Sequence, residues 1–279
     1  MNEDDKFCRV CIILSGGVGT RIGASTPKQY IEMGGKPILE YTLHSCLAWE
    51  DMDSLVIVAD KNWHEYVRDT VERTLANKYK ANKTKINSVT NETENGIVFL
   101  GFAEPGKNRQ LSIYNALKMV KDHMSTDAWV MIHDGVRPCL SSELIERCNA
   151  AFETKNTTFN NNIEGADWSI SGNNTIDGVM PYLEIKDTVY LKDSEGNISG
   201  MLDRSSLVAG QTPEFFCYWK YLKANEALSD DEMLAVHGST EPAVKAGMKI
   251  ALVPGDEGNF KITTRQDLER FKYESMGFT

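Results

Sequence analysis

The sequence predicts a doubly wound α/β fold: a mostly parallel sheet with helices on both faces. Short, continuous apolar runs recur along the chain, as at Val10-Cys11-Ile12-Ile13-Leu14, Leu55-Val56-Ile57-Val58-Ala59 and Trp129-Val130-Met131-Ile132. Stretches of helical periodicity lie between them. Two of the runs lead straight into polar loops, Ser15-Gly16-Gly17 and His133-Asp134-Gly135. An apolar run without polar alternation suits a strand buried on both faces, and strands alternating with helices suit parallel pairing through crossovers.

The first strand is expected within Phe7–Leu14. Its Cys8-x-x-Cys11 pair is read as structural, since no second Cys/His pair follows at zinc spacing. Residues 37–48 read as a helix with Pro37 at its first position and Ile38, Tyr41, Leu43, Cys46 and Leu47 on its apolar side. The strand at 55–59 precedes a helix from Trp63 to about Leu75, and the run from Ile97 to Phe102 precedes a helix from about Gln110 to Val120. Trp129–Ile132 ends at His133-Asp134, with another helix from Ser142. Residues 77–95, rich in Lys, Asn and Thr, read as a surface excursion, and 156–177, rich in asparagine, as a long loop or insertion. Residues 187–204 read as a β-hairpin arm turning at Ser194-Glu195-Gly196-Asn197. A strand at 250–253, an extended piece at 260–262 and a helix from about Arg265, capped by Thr263 or Thr264, complete a single domain over 1–279.

With 41% hydrophobic and 25% charged residues the composition is that of a globular protein. A formal net charge of -10 argues against nucleic-acid polymers and anionic membranes as partners, because both ask for a basic face. No apolar run reaches bilayer-spanning length. Residues 1–5 are acidic and lack signal-peptide features, and the six cysteines are scattered, so a cytoplasmic location is expected.

In an open α/β sheet, ligands bind beyond the carboxyl ends of the strands. Three polar features qualify. The loop from Leu14 through Ser15, Gly16, Gly17, Gly19 and Arg21 to Lys28 combines glycines, which let backbone amides approach an anion, with two cations. It matches neither the dinucleotide fingerprint nor a Walker A loop. Asp134 follows a predicted strand, where a carboxylate can hold Mg²⁺, and Arg137 lies close by. His133 is assigned to packing. Lys261, between Phe260 and Ile262, reads in isolation as a surface charge rather than a cation aimed into a pocket.

These loops also carry a family resemblance. SGGVGTRIG-x₃-PKQY, GKPILEYTL, GKNRQLSIYNAL, HDGVRP, KDT, LDRSSL, QTPE and NFKITT, in that order over residues 8–270, resemble the methylerythritol-phosphate/ribitol-phosphate cytidylyltransferases. The resemblance implies a Rossmann-like, homodimeric enzyme of the nucleotide-diphospho-sugar transferase type that binds CTP with Mg²⁺ and transfers CMP to a small polyol phosphate. By motif, Leu14, Ser15, Gly16, Gly17 and Gly19 would wrap the triphosphate, with Arg21 and Lys28 on its oxygens. Gly106, Arg109 and Ser112 would lie at cytosine and ribose. Asp134 would hold the metal and, with Arg137, approach the acceptor. Lys261 would reach the α-phosphate, reversing its reading in isolation. The hairpin would be the dimer arm, carrying Thr188 and Arg204 to the acceptor phosphate.

The family pattern departs at residues 236–243, where a Thr-Asp-Asp is usual; either Glu241 replaces an acidic partner or that role is absent. The loops Gly17-x-Gly19-Thr20-Arg21, Val136-Arg137-Pro138 and Gly210-Gln211-Thr212-Pro213 resemble the ribitol-phosphate branch. Pro27-Lys28-Gln29-Tyr30 and Leu202-Asp203-Arg204-Ser205 resemble the methylerythritol branch. The balance leans slightly to an alditol phosphate such as ribitol 5-phosphate. A sugar-1-phosphate nucleotidyltransferase, a nicotinamide dehydrogenase and a non-catalytic nucleotide-binding protein are the competing readings.

Overall fold

In the computed structural model, which describes residues 6–17, 26–80, 96–153 and 176–275, strand β1 (Phe7–Leu14) is central. A two-stranded β2 (Glu32–Met33) and β3 (Lys36–Pro37) lead into α1 (Ile38–Cys46). Pro37 is the residue before this helix, in extended conformation, rather than its first helical residue as predicted. Then come β4 (Ser54–Val58), α2 (His64–Lys80), β5 (Val98–Ala103), α3 (Arg109–Val120), β6 (Met124–Asp134) and α4 (Ser142–Glu153). Helix α2 runs past Leu75 into the stretch assigned to a surface excursion; what remains of that excursion, 81–95, lies outside the described residues, as does the asparagine-rich stretch up to residue 175.

Beyond it the chain adds β7 (Gly178–Glu184), β8 (Val189–Lys192), β9 (Ile198–Leu202), β10 (Val208–Gly210) and β11 (Glu214–Cys217). Helices α5 (Tyr218–Glu226), α6 (Asp230–Ala235) and α7 (Glu241–Lys245), strand β12 (Ile250–Pro254) and α8 (Arg265–Ser275) complete it. Strands β7, β10 and β11 and helices α5 to α7 were not anticipated from periodicity. The main sheet has the order β10-β7-β11-β6-β1-β4-β5, with β12 also on β7. β1, β4, β5 and β6 pair in parallel, β11 runs antiparallel between β6 and β7, and β12 is parallel to β7. The fold is therefore the mostly parallel, doubly wound sheet expected. The hairpin β8–β9 pairs only with itself. No helix among the described residues is long and apolar enough to cross a membrane.

Alternation along buried strands divides the core. Cys11 and Ile13 face one side with Leu39 and Leu43 of α1, Val67 and Val71 of α2, and Leu144 and Cys148 of α4. Val10 and Ile12 face the other with Ile113 and Leu117 of α3 and Tyr221 of α5. In β11, Phe215 and Phe216 likewise go to opposite sides. Helix α8 docks through a smaller cluster of Ile38, Val136, Ile262 and Phe271, which draws residues 260–262 against the turn after β6.

Phe215 is fully buried, edge-on to Trp49 at 5.2 Å between ring centroids. Phe215→Ala is expected to cost about 3–5 kcal/mol through the cavity it leaves. Urea denaturation checks this; a loss under about 1 kcal/mol would mean that β11 is not integral to the core.

Candidate active site

β1 and β6 pair in register to their ends, Leu14 beside Asp134, so the loops after both strands leave the sheet together. Two glycines permit this closeness. A Cβ on Gly135 would lie 2.9 Å from the Leu14 carbonyl oxygen, to which the Gly135 amide donates, and a Cβ on Gly16 would lie 2.6 Å from the Pro105 ring. The loop after β1 is pinned from below by the turn that begins at Lys28. Gln29 Nε2 donates to the Ser15 and Gly17 carbonyls at 2.6 and 2.8 Å, and the Tyr30 hydroxyl donates to the Ser15 carbonyl. Gln29 was not singled out in the sequence, although its motif was. Gly19 and Arg21 lie outside the described residues.

Three cations converge on the buried Asp134 carboxylate. Arg109 Nε is 3.1 Å from Oδ1, while Lys261 Nζ and Arg137 Nε are 3.0 and 3.4 Å from Oδ2. Burial alone would raise the Asp134 pKa, but Arg109, then Lys261 and Arg137, outweigh it and hold the carboxyl well below the usual carboxylate range. Arg137 is itself anchored through Nη1 to the Asn259 carbonyl. Lys28 Nζ donates to the carbonyl of Ile262, the residue after Lys261. The structure thus brings Lys261 to the Asp134 carboxylate, against its reading in isolation as a surface charge.

The third wall is the start of α3. Asn108 caps the helix by accepting from the Leu111 amide at 2.8 Å, so Arg109 enters as its first residue. Ser112 Oγ accepts from the Gly106 amide at 2.9 Å, and a Cβ on Gly106 would lie 2.2 Å from that of Leu111. Thr188 and Arg204 are not brought to this cluster: Thr188 is exposed, and Arg204 donates to the Lys186 carbonyl at the base of the hairpin.

His133 is fully buried, with Nε2 at 3.1 Å from the Arg137 carbonyl and Nδ1 at 3.1 Å from the Thr212 hydroxyl. A carbonyl can only accept, so Nε2 carries the proton and Nδ1 accepts from Thr212. Burial pushes its pKa down to about 4. Neutral and engaged at both nitrogens, it ties the turn after β6 to the segment before β11. Glu241 is not brought to the Asp134 cluster. It accepts from the His237 amide and pairs with Lys245, as a residue in the first turn of a short helix does. The second acid of the site is Glu214, 3.6 Å from Arg109 Nη2. It lies in the QTPE stretch, but nothing in the local sequence marks it as facing Arg109.

Among the described residues no group of three or more His, Cys, Asp or Glu side chains could cage a metal. One carboxylate at a polyanion site still suits Mg²⁺, which is commonly held by one or two carboxylates plus substrate phosphates.

The start of the loop after β1, a strand-tip carboxylate and clustered cations thus lie at one end of the sheet, and comparison with known proteins supplies the family. The family model described as IspD, 2-C-methyl-D-erythritol 4-phosphate cytidylyltransferase, matches residues 10–164 and 166–273. The chain belongs to this family. It is a cytidylyltransferase, a nucleotidyltransferase acting on a polyol phosphate. A relative from Clostridium perfringens, named 2-C-methyl-D-erythritol 4-phosphate cytidylyltransferase, is 33% identical over 93% of this chain and 95% of its own. One from Streptococcus agalactiae, named ribitol-5-phosphate cytidylyltransferase, is 29% identical over 94% and 92%. The fold matches solved structures as well. The 4-diphosphocytidyl-2C-methyl-D-erythritol synthase of Anaerococcus prevotii superposes with a TM-score of 0.67 at 21% identity, covering 97% of this chain and 99% of that one. A Francisella tularensis 2-C-methyl-D-erythritol 4-phosphate cytidylyltransferase gives 0.66 at 22%, covering 96% and 99%.

The buried His133 makes the stability of this family member depend on pH. Unfolded, the imidazole protonates near its ordinary value of about 6.5; folded, it stays neutral down to about 4. The unfolded chain therefore binds the extra proton in that window, and stability falls as pH drops through it, by at most roughly 3 kcal/mol. His133→Gln should flatten this slope in denaturation measured from pH 7 to pH 4. An unchanged slope would show that other groups carry it.

Proposed function

We propose that the cluster around Asp134 binds CTP with Mg²⁺ and that 2-C-methyl-D-erythritol 4-phosphate is the acceptor. The observation that carries the binding reading is charge. Lys28, Arg109, Arg137 and Lys261 gather around Asp134 and Glu214, giving a surplus of positive charge in a chain whose formal net charge is -10. A triphosphate fits such a pocket, and an extended polyanion does not fit the acidic remainder. The loop after β1, with its carbonyls drawn back by Gln29 and Tyr30, suits a phosphate cradle.

The acceptor phosphate is ionised at neutral pH and needs no base to become a nucleophile. One of its oxygens bonds to the α-phosphorus of CTP, the bond from that phosphorus to the bridging oxygen breaks, and pyrophosphate leaves with the electron pair. Lys28 and Lys261 would bind the charge that builds on the α-phosphate, and Arg21 would hold the phosphates. Mg²⁺ held by Asp134 and phosphate oxygens would supply further neutralisation. Gly106, Arg109 and Ser112 would bind the nucleoside. Asp134 Oδ2 would open to a metal once Lys261 turns to phosphate, an exchange its 34% exposure allows.

For the acceptor, the family description and relatives at 33% identity favour methylerythritol 4-phosphate over the alditol phosphate toward which the loop sequences lean. Ribitol 5-phosphate remains the second reading, supported by those loops and by relatives at 29%. Tyr190, Ile198 and Met201 of the hairpin are 55%, 71% and 68% exposed. Such apolar exposure favours pairing with a second copy, through which Thr188 and Arg204 would reach the partner's acceptor phosphate. Light scattering is expected to give twice the 31.2 kDa chain mass; a monomer at assay concentration rules this out.

Pyrophosphate release from CTP, run with methylerythritol 4-phosphate and ribitol 5-phosphate in parallel, tests the whole reading. Release is expected with the first acceptor, abolished by chelator and restored by Mg²⁺. Preference for ribitol 5-phosphate would reverse the acceptor assignment. In the same assay Lys28→Ala and Lys261→Ala should each lower kcat by about a hundredfold or more with an unchanged circular dichroism spectrum. Near-normal turnover in either variant would remove that lysine from the mechanism.

A further inference from the structure

Behind Arg109 lies a carboxylate that the transfer chemistry does not use. Glu214 opens β11 and is 4% exposed. Its side chain accepts from the Thr240 hydroxyl at 2.6 Å and from the Ser239 hydroxyl, while the Tyr221 hydroxyl holds the Ser239 carbonyl at 2.6 Å. Glu214 is thus fixed by its own donors, independently of Arg109, and presents Oε2 to Arg109 Nη2 at 3.6 Å. On its other edge the same guanidinium is held by Asp134 at Nε.

A guanidinium is planar, so carboxylates at two of its nitrogens define the position of the third. Nη1 is the nitrogen that neither of these contacts uses, and Arg109 is one-third exposed. We propose that Glu214 is a positioning residue that presets the Arg109 plane, so that Nη1 meets the nucleotide already oriented. The inference rests on the reading of Arg109 as a nucleotide-binding residue. Without the Glu214 charge, Arg109 pivots about its bond to Asp134 and CTP must order it on binding. Lys28 and Lys261 do not touch Glu214, so the cost falls on nucleotide affinity rather than on the chemical step.

Steady-state kinetics and calorimetric CTP binding on Glu214→Gln, Arg109→Lys and the double variant test this. Glu214→Gln is expected to raise KM and Kd for CTP about tenfold, the loss typical of a charge-assisted contact, with kcat and the acceptor KM little changed. In the Arg109→Lys background, which lacks the planar fork, Glu214→Gln should have almost no further effect. Thr240→Val, which removes one donor from Glu214, should shift KM for CTP the same way by about two- to threefold; it carries the test if Glu214→Gln does not fold. An unchanged CTP affinity in the folded Glu214 variant, or an equal effect in both backgrounds, overturns the inference and leaves Arg109 at the nucleotide. An Arg109→Lys variant with normal CTP affinity overturns the nucleotide reading of Arg109 and this inference together.

Discussion

Everything at the carboxyl end of the sheet depends on one buried carboxylate. Asp134 is held by the pairing of β6 with β1, and Arg109, Arg137 and Lys261 arrive at it from α3, from its own turn and from the segment before α8. A buried charge is tolerated only when opposite charges and donors surround it, and removing a partner leaves it exposed to a low dielectric. The carboxylate therefore organises the cations as much as they stabilise it. Three separate stretches of chain are tied there: the first turn of α3, the end of β6 with its turn, and the segment before α8.

That arrangement reconciles an acidic protein with a polyanionic substrate. The cations are held against Asp134 and Glu214. Lys261 has the most exposure, 34%, and a single carboxylate partner, whereas Arg109 lies between both acids and Arg137, 12% exposed, is also bound to the Asn259 carbonyl. His133 and Thr212 lock the turn beneath them.

Much of this was legible in the chain. Unbroken apolar runs such as Val10–Leu14 and Leu55–Val58 belong to strands covered on both faces, and their burial follows from that alone. Glycine at 16, 106 and 135 stands where a neighbouring ring or backbone lies too close for a Cβ, and each lies in a motif. Harder to see were β7 and β11. Their short runs pair antiparallel with strands far away in sequence, a tertiary preference that leaves little local period. Lys261 misled in isolation for the same reason. Apolar neighbours alone do not distinguish a surface charge from one that α8 and the Ile262 cluster press toward Asp134.

Alone, then, the sequence determined the winding of the sheet, the end of it that bears chemistry, and the family, because those rest on periodicity and on motifs contiguous in the chain. Only the tertiary structure decided which charges meet. Glu214 rather than Glu241 became the second acid of the site because β11 brings it beside Arg109, whereas Glu241 is spent on the first turn of its own helix. Pairing over a hundred residues of separation is set by sheet order and packing, and no local pattern encodes it.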